Sequence, residues 1–107
     1  MITFKCLLNG AIDDAARNRV VDGLARIHGE HFGVDPGEVT VEFTEVATGR
    51  WYTGGELSSA SMVLGTVPAG TPQDVRERVM DEIARCFSAV TDTDYHDVMV
   101  VAADPRA

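Results

Sequence analysis

Two stretches of this chain carry the same order of periodicities, and that repetition narrows the fold more than any other feature. Ile2 to Leu8 alternates as a strand, with Ile2, Phe4, Cys6 and Leu8 on one face and Met1, Thr3, Lys5 and Leu7 on the other. A helical spacing follows, and then Val39, Val41 and Phe43 alternate again against Thr40, Glu42 and Thr44. The second half repeats this with a strand over Met62 to Val67, a helix, and a strand over Val98 to Ala103. Strand starts are offset by 60 in one pair and 59 in the other, although few residues are identical between the halves. A strand, a crossover helix and a strand form a right-handed unit with parallel strands. The spacing therefore predicts a tandem βαβ fold: a four-stranded mixed sheet with two helices on one face, α/β by its units and α+β by its overall sheet.

Local signals mark the boundaries. Asn9-Gly10 breaks the first strand, Asp13 caps the first helix and Asp14 is favourable in its first turn. Ala16, Val20, Leu24, Ile27 and His31 form the apolar stripe, with Val21 and His28 beside it. Gly33 closes that helix and Asp35-Pro36-Gly37 turns into the second strand. In the second half Thr71 is the expected cap with Pro72 at the first helical position. Val75, Val79, Ile83, Phe87 and Val90 line that helix, with Met80 and Ala84 alongside. If the first two strands are neighbours, Lys5 and Glu42 can pair across them.

Composition sets limits. The 107 residues suit a single domain over 1-107, with halves of about 1-58 and 59-107. A net charge of -8 argues against nucleic acid, whose phosphates call for clustered Lys and Arg. No apolar run approaches the roughly 18 residues of a membrane span, and no leader precedes the first strand, so a soluble cytoplasmic protein is expected. Cys6 and Cys86, 80 positions apart, lack metal-ligand spacing and read as buried thiols. Neither a metal nor a cofactor is expected. The bare sheet face holds Leu7, Met99 and Val101 among polar residues, a mixture that usually meets a partner.

Between the halves lies VTVEFTEVATGRWYTGGELSSAS, from Val39 to Ser61. The strand breaks at Ala47-Thr48-Gly49, Trp51 and Tyr52 lie on a short extended arm, and Gly54-Gly55 turns the chain toward Glu56-Leu57. This segment resembles the TE-(apolar)-A-x-G-(x)-aromatic-x-x-GGELAS run of the tautomerase superfamily (tautomerase/MIF-like). The nearest types are 4-oxalocrotonate tautomerase and double-length relatives such as cis-3-chloroacrylic acid dehalogenase. The resemblance implies a homotrimer whose sheet faces surround a threefold axis, with the arm extending a neighbour's sheet. It also implies an amino-terminal proline as base or acid, and here that position is Met1. Bulky Ile2 should leave Met1 in place. The family's arginines fall at Ala11, at Thr40 and in the loop Pro68-Ala69-Gly70-Thr71, so its dicarboxylate anchors are missing. The pocket aromatic falls at Trp51, the fourth-strand tyrosine near Val101, and a late first-helix histidine is matched by His28.

What remains is a more neutral, apolar pocket lined by Met1, Thr40 and Trp51, with Tyr52 beside Trp51, for a small-molecule enol, phenol or carbonyl compound. The Met1 α-amine, with an ordinary pKa of about 7.7–8.0, serves as a general base or forms a Schiff base, or else is an ordinary first residue. His28 moves a proton in the pocket or is a satisfied structural residue. Trp51 and Tyr52 form an aromatic wall or pack subunits together. The alternative to an enzyme is a non-catalytic trimeric module.

Overall fold

The structure, a computed structural model, describes residues 2–105. In chain order it has β1 (Ile2–Asn9), α1 (Asp14–Phe32), β2 (Val39–Val46), β3 (Tyr52–Thr53), β4 (Glu56–Leu57), β5 (Ser61–Thr66), α2 (Gln73–Thr91) and β6 (Val98–Ala103). Single 3-10 turns, Pro36–Glu38 and Tyr95–Asp97, precede β2 and β6. The four long strands form one sheet in the order β2-β1-β5-β6, and β3 with β4 makes a separate hairpin. The outer pairs are parallel, as crossover helices require, and the two halves join through antiparallel β1 and β5. Both strands and the helix of the second half start 59 residues after their counterparts, because β5 opens at Ser61 and not at Met62.

Caps explain the helix ends. Asp13 accepts a 2.8 Å hydrogen bond from the Ala16 N–H, and Gly33, at φ 65°, sends its own N–H to the Gly29 carbonyl at 3.0 Å. Thr71, expected to cap α2, does not. Its hydroxyl donates instead to the Pro68 carbonyl at 2.6 Å, and Pro72 occupies the cap position without a side-chain bond. Both 3-10 turns use one device: Asp35 accepts from the Gly37 N–H and Asp94 from the His96 N–H, each at 2.9 Å.

The core lies between the sheet and the two helices. Phe4, Cys6 and Leu8 from β1 and Val63 from β5 meet Val20, Leu24 and Ile27 of α1 and Val79, Ile83 and Phe87 of α2. Ile2, Val41 and Phe43 pack at its margin. Burial pushes the Cys6 thiol up to about 12, so it is an inert part of this core, whereas Cys86 is only half-buried. Lys5 and Glu42 are register neighbours on the other face but form no ion pair. That face stays bare, with Met99 47% and Val101 45% exposed. No helix of the described residues is long and apolar enough to cross a membrane.

Two glycines allow close approaches. A Cβ on Gly65 would fall 2.5 Å from the Phe4 ring, so that ring occupies the space a β5 side chain would fill. A Cβ on Gly23 would fall 2.3 Å from Cys86 Sγ but 3.9 Å from Cys86 Cβ, which makes Gly23 the point where α1 and α2 meet through a thiol. Gly23→Ala should destabilise the fold by about 1–2 kcal/mol through overpacking. Adding Cys86→Ala should restore stability to near wild type, because the clashing sulfur is gone and alanine is the better helix former. Urea unfolding of both variants checks this; a double variant no more stable than Gly23→Ala alone contradicts it.

Candidate functional site

On the bare face, where β1 begins, the sheet dips into a concavity of about 300 Å³. Thr3 and Lys5 of β1, Leu64, Gly65 and Thr66 of β5, and Val101 and Ala103 of β6 line it. The dip has a simple origin: Ala103 offers only a methyl there, while longer Lys5, Leu64 and Val101 stand around it. Most of the lining is apolar. Lys5 carries the one formal charge in it and has no ion-pair partner among the described residues. An unpaired ammonium beside apolar walls suits an oxygen that gains negative charge, such as the oxygen of an enol or enolate.

Met1, expected at the heart of the site, lies outside the described residues. In sequence it directly precedes Ile2, the first residue of β1. Thr40 is the register partner of Thr3 on β2, close to the concavity but not part of its lining. Trp51 and Tyr52 are elsewhere. They sit on the β3–β4 hairpin, whose turn residues Gly54 and Gly55 both take positive φ, 61° and 84°, as the tight primed turn requires. The Ser58 N–H closes the hairpin base on the Trp51 carbonyl at 2.8 Å, and Asn9 Nδ2 holds the Ser58 carbonyl at 2.5 Å. The hairpin is thus rooted at the far end of β1, about 20 Å from Thr3 at roughly 3.3 Å per residue. Tyr52 and its cross-strand neighbour Leu57 are 62% and 65% exposed. One subunit does not bring the aromatic arm to its own concavity.

His28 needs a correction. It lines no cavity: it is fully buried, edge-on to Phe4 (centroids 4.7 Å) and Phe32 (5.1 Å). Its Nε2–H donates to the Thr66 carbonyl at 2.9 Å, which fixes the tautomer, and buried Nδ1 has no partner. Burial pushes its pKa below the usual histidine value, against the opposing effect of the Thr66 bond. With no atom at the surface it cannot hand a proton to a bound molecule. It instead steadies Thr66, a wall residue, from behind. A sequence signal for this existed: at the 59-residue offset His28 corresponds to Phe87, a core aromatic. His31 turns toward α2 and bonds Glu82 at 2.6 Å. Lys5, read from sequence only as a partner for Glu42, is the site residue that sequence reasoning missed. Only the β1–β5 register, Lys5 opposite Leu64, places it there.

No protein-family model matches the chain, and no curated protein matches it. Solved structures do. Native Ps01740 is 26% identical, with 95% of this chain and 92% of that one covered and a TM-score of 0.87. A fused 4-OT wild-type symmetric trimer, Q0, is 19% identical over 95% and 84%, at a TM-score of 0.85. N1, a member of the cis-3-chloroacrylic acid dehalogenase family, is 16% identical over 94% and 72%, also at 0.85. This chain has the double-length tautomerase fold. The sequence resemblance singled out the arm and the start of β1, whereas neither Thr40 nor Trp51 lines the concavity and His28 is buried.

A neutral buried histidine gives a signed pH dependence. Its folded pKa is depressed, so below the ordinary histidine value of about 6.5 the unfolded chain binds a proton that the folded chain does not. Stability contributed this way is present above that value and is lost as pH falls below it. His28→Gln keeps an amide donor for Thr66 but cannot titrate. Urea midpoints at pH 7.5 and 5.5 should fall further for wild type than for His28→Gln; equal falls would show that His28 is not the group responsible.

Proposed function

We propose that this protein is a tautomerase-superfamily-like enzyme without the amino-terminal proline, interconverting the enol and keto forms of a small, mostly neutral carbonyl or phenolic compound. The observation that carries this reading is the apolar concavity at the start of β1 with Lys5 in its lining. The Met1 amine, as free base, takes a proton from the carbon next to the carbonyl and delivers it to the enolate oxygen; in the reverse sense it takes the enol proton from oxygen and returns it to that carbon. Lys5 stabilises the enolate oxygen between the two transfers, and Thr3 and Thr66 offer hydroxyls that orient the substrate. No cofactor enters this chemistry. Because the arm is rooted far from its own concavity, Trp51 and Tyr52 act on a neighbour's site, and Thr40 borders it. The working form is then a cytoplasmic homotrimer, a reading supported by the bare face, by exposed Tyr52 and Leu57 and by the trimeric fused 4-OT of the same fold.

The second reading is a non-catalytic trimer that binds a ligand or is structural. Buried His28 and the residues Ala11, Thr40 and Pro68-Ala69-Gly70-Thr71 at the family's arginine positions favour it.

A spectrophotometric panel of phenylpyruvate and related keto–enol pairs separates the two. Blocking the Met1 amine should lower kcat/KM by about a hundredfold or more, the usual contribution of a positioned base. Lys5→Met should lower it by at least about tenfold, and His28→Gln should change it little. Turnover indifferent to the amine block and to Lys5→Met removes the catalytic assignment. Light scattering should give three chain masses, and Tyr52→Asp with Leu57→Asp should reduce this to 11.5 kDa. A wild-type protein already at 11.5 kDa at micromolar concentration ends the trimer reading.

A further inference from the structure

On the opposite face of β6 lies a second cleft, of about 360 Å³, bounded by α2, the turn Tyr95–Asp97 and the edge strand. Val98 and Val100 point into it, whereas Val101 and Ala103 line the concavity on the other side of the same strand. Its floor is apolar, made by Met80, Ala84, Val98 and Val100. Tyr95 and His96 form one wall, ring to ring at 5.4 Å and nearly perpendicular. Glu77 and Asp81 stand at the polar rim.

The tandem design supplies an internal comparison. At the 59-residue offset Asp81, Ala84 and Arg85 stand where the first half has Asp22, Ala25 and Arg26. There Arg26 turns to Glu30 at 3.5 Å, and the turn before β2 carries Pro36-Gly37, with no aromatic ring. In the second half the same positions become Tyr95-His96, and the shared Asp and Arg are redirected onto the new ring. The Tyr95 hydroxyl donates to Asp81 Oδ1 at 2.5 Å, and Arg85 Nε donates to Asp81 Oδ2 at 2.9 Å. The Arg85 guanidinium lies 5.0 Å from the Tyr95 ring centroid. Core packing alone does not require this, since Tyr95 remains 36% exposed. The outcome is an aromatic wall held in place before any ligand arrives, which lowers the entropy lost on binding.

Charge selects the ligand. Arg85 is neutralised by Asp81, and among the described residues Glu77 bonds only the neutral amide of Gln73, at 3.3 Å. The rim therefore presents a surplus negative charge on a chain of net charge -8. We propose that this cleft binds a small amphipathic cation, an arylalkylamine whose ring packs on Met80, Val98 and Val100 against Tyr95 and whose ammonium meets Glu77. This site is separate from the concavity beside Lys5, and it stands whether or not that concavity turns over substrate.

The test is an amide-resolved NMR titration of the full chain with 3-phenylpropylamine, and in parallel with 3-phenylpropanol and 3-phenylpropionate. The amine should give saturable shifts centred on Ala84, Tyr95, His96 and Val98 at millimolar concentration, the alcohol weaker ones and the carboxylate none. Glu77→Gln, a surface change that leaves the fold intact, should weaken the amine by about two- to fivefold, as loss of an exposed ion pair does. Tyr95→Ala should abolish saturation. The proposal is overturned if the amine does not saturate, if the carboxylate binds as well as the amine, or if Glu77→Gln has no effect. It is equally overturned if shifts at these amides follow protein concentration without ligand, because another copy of the chain then covers the cleft.

Discussion

The antiparallel seam between β1 and β5 is the constraint on which the rest of this molecule depends. Each half is a βαβ unit with one helix and two parallel strands, too little to bury a core unaided. Joining the units edge to edge, with Cys6 opposite Val63, places both right-handed crossovers on the same side and lets α1 and α2 share one core. The seam also brings Phe4 under Gly65, where the missing side chain admits the ring. It sets Lys5 opposite Leu64, so the same pairing that completes the core on one side shapes the concavity on the other.

Placing both helices on one face divides the chain's chemistry. The covered side takes in His28 with the apolar residues, and desolvation keeps that ring neutral. The bare side keeps Lys5, Thr3 and Thr40 in contact with water, together with Met99 and Val101. A sheet in this condition is stable when other protein covers it. The hairpin shows the same incompleteness: Asn9 ties its base while Tyr52 and Leu57 stay exposed. The active-site reading and the assembly reading are therefore linked through geometry.

Legibility followed the range of the interactions. The ends of α1 were readable because Asp13 and Gly33 act within a turn of their own position. The bounds of β6 were readable because alternation ends at Asp104-Pro105. Thr71 misled because a hydroxyl that suits a cap suits a turn equally well, and here the Pro68 carbonyl took it. His28 misled because its place beside the apolar stripe left open whether it faced a pocket or the core. Phe32 and Phe4 close around it, and only folding brings Phe4 there.

By itself the sequence determined two tandem strand–helix–strand units, the capped ends of α1 and the tight Gly54-Gly55 hairpin. Each of these is written in residues a few positions apart, where backbone preference and periodicity act directly. The tertiary structure alone decided which strands became neighbours, and with that which side chains line a cavity. Lys5 and Leu64 are 59 residues apart, and no local preference specifies that they meet. Their register comes from packing one core between one sheet face and two helices.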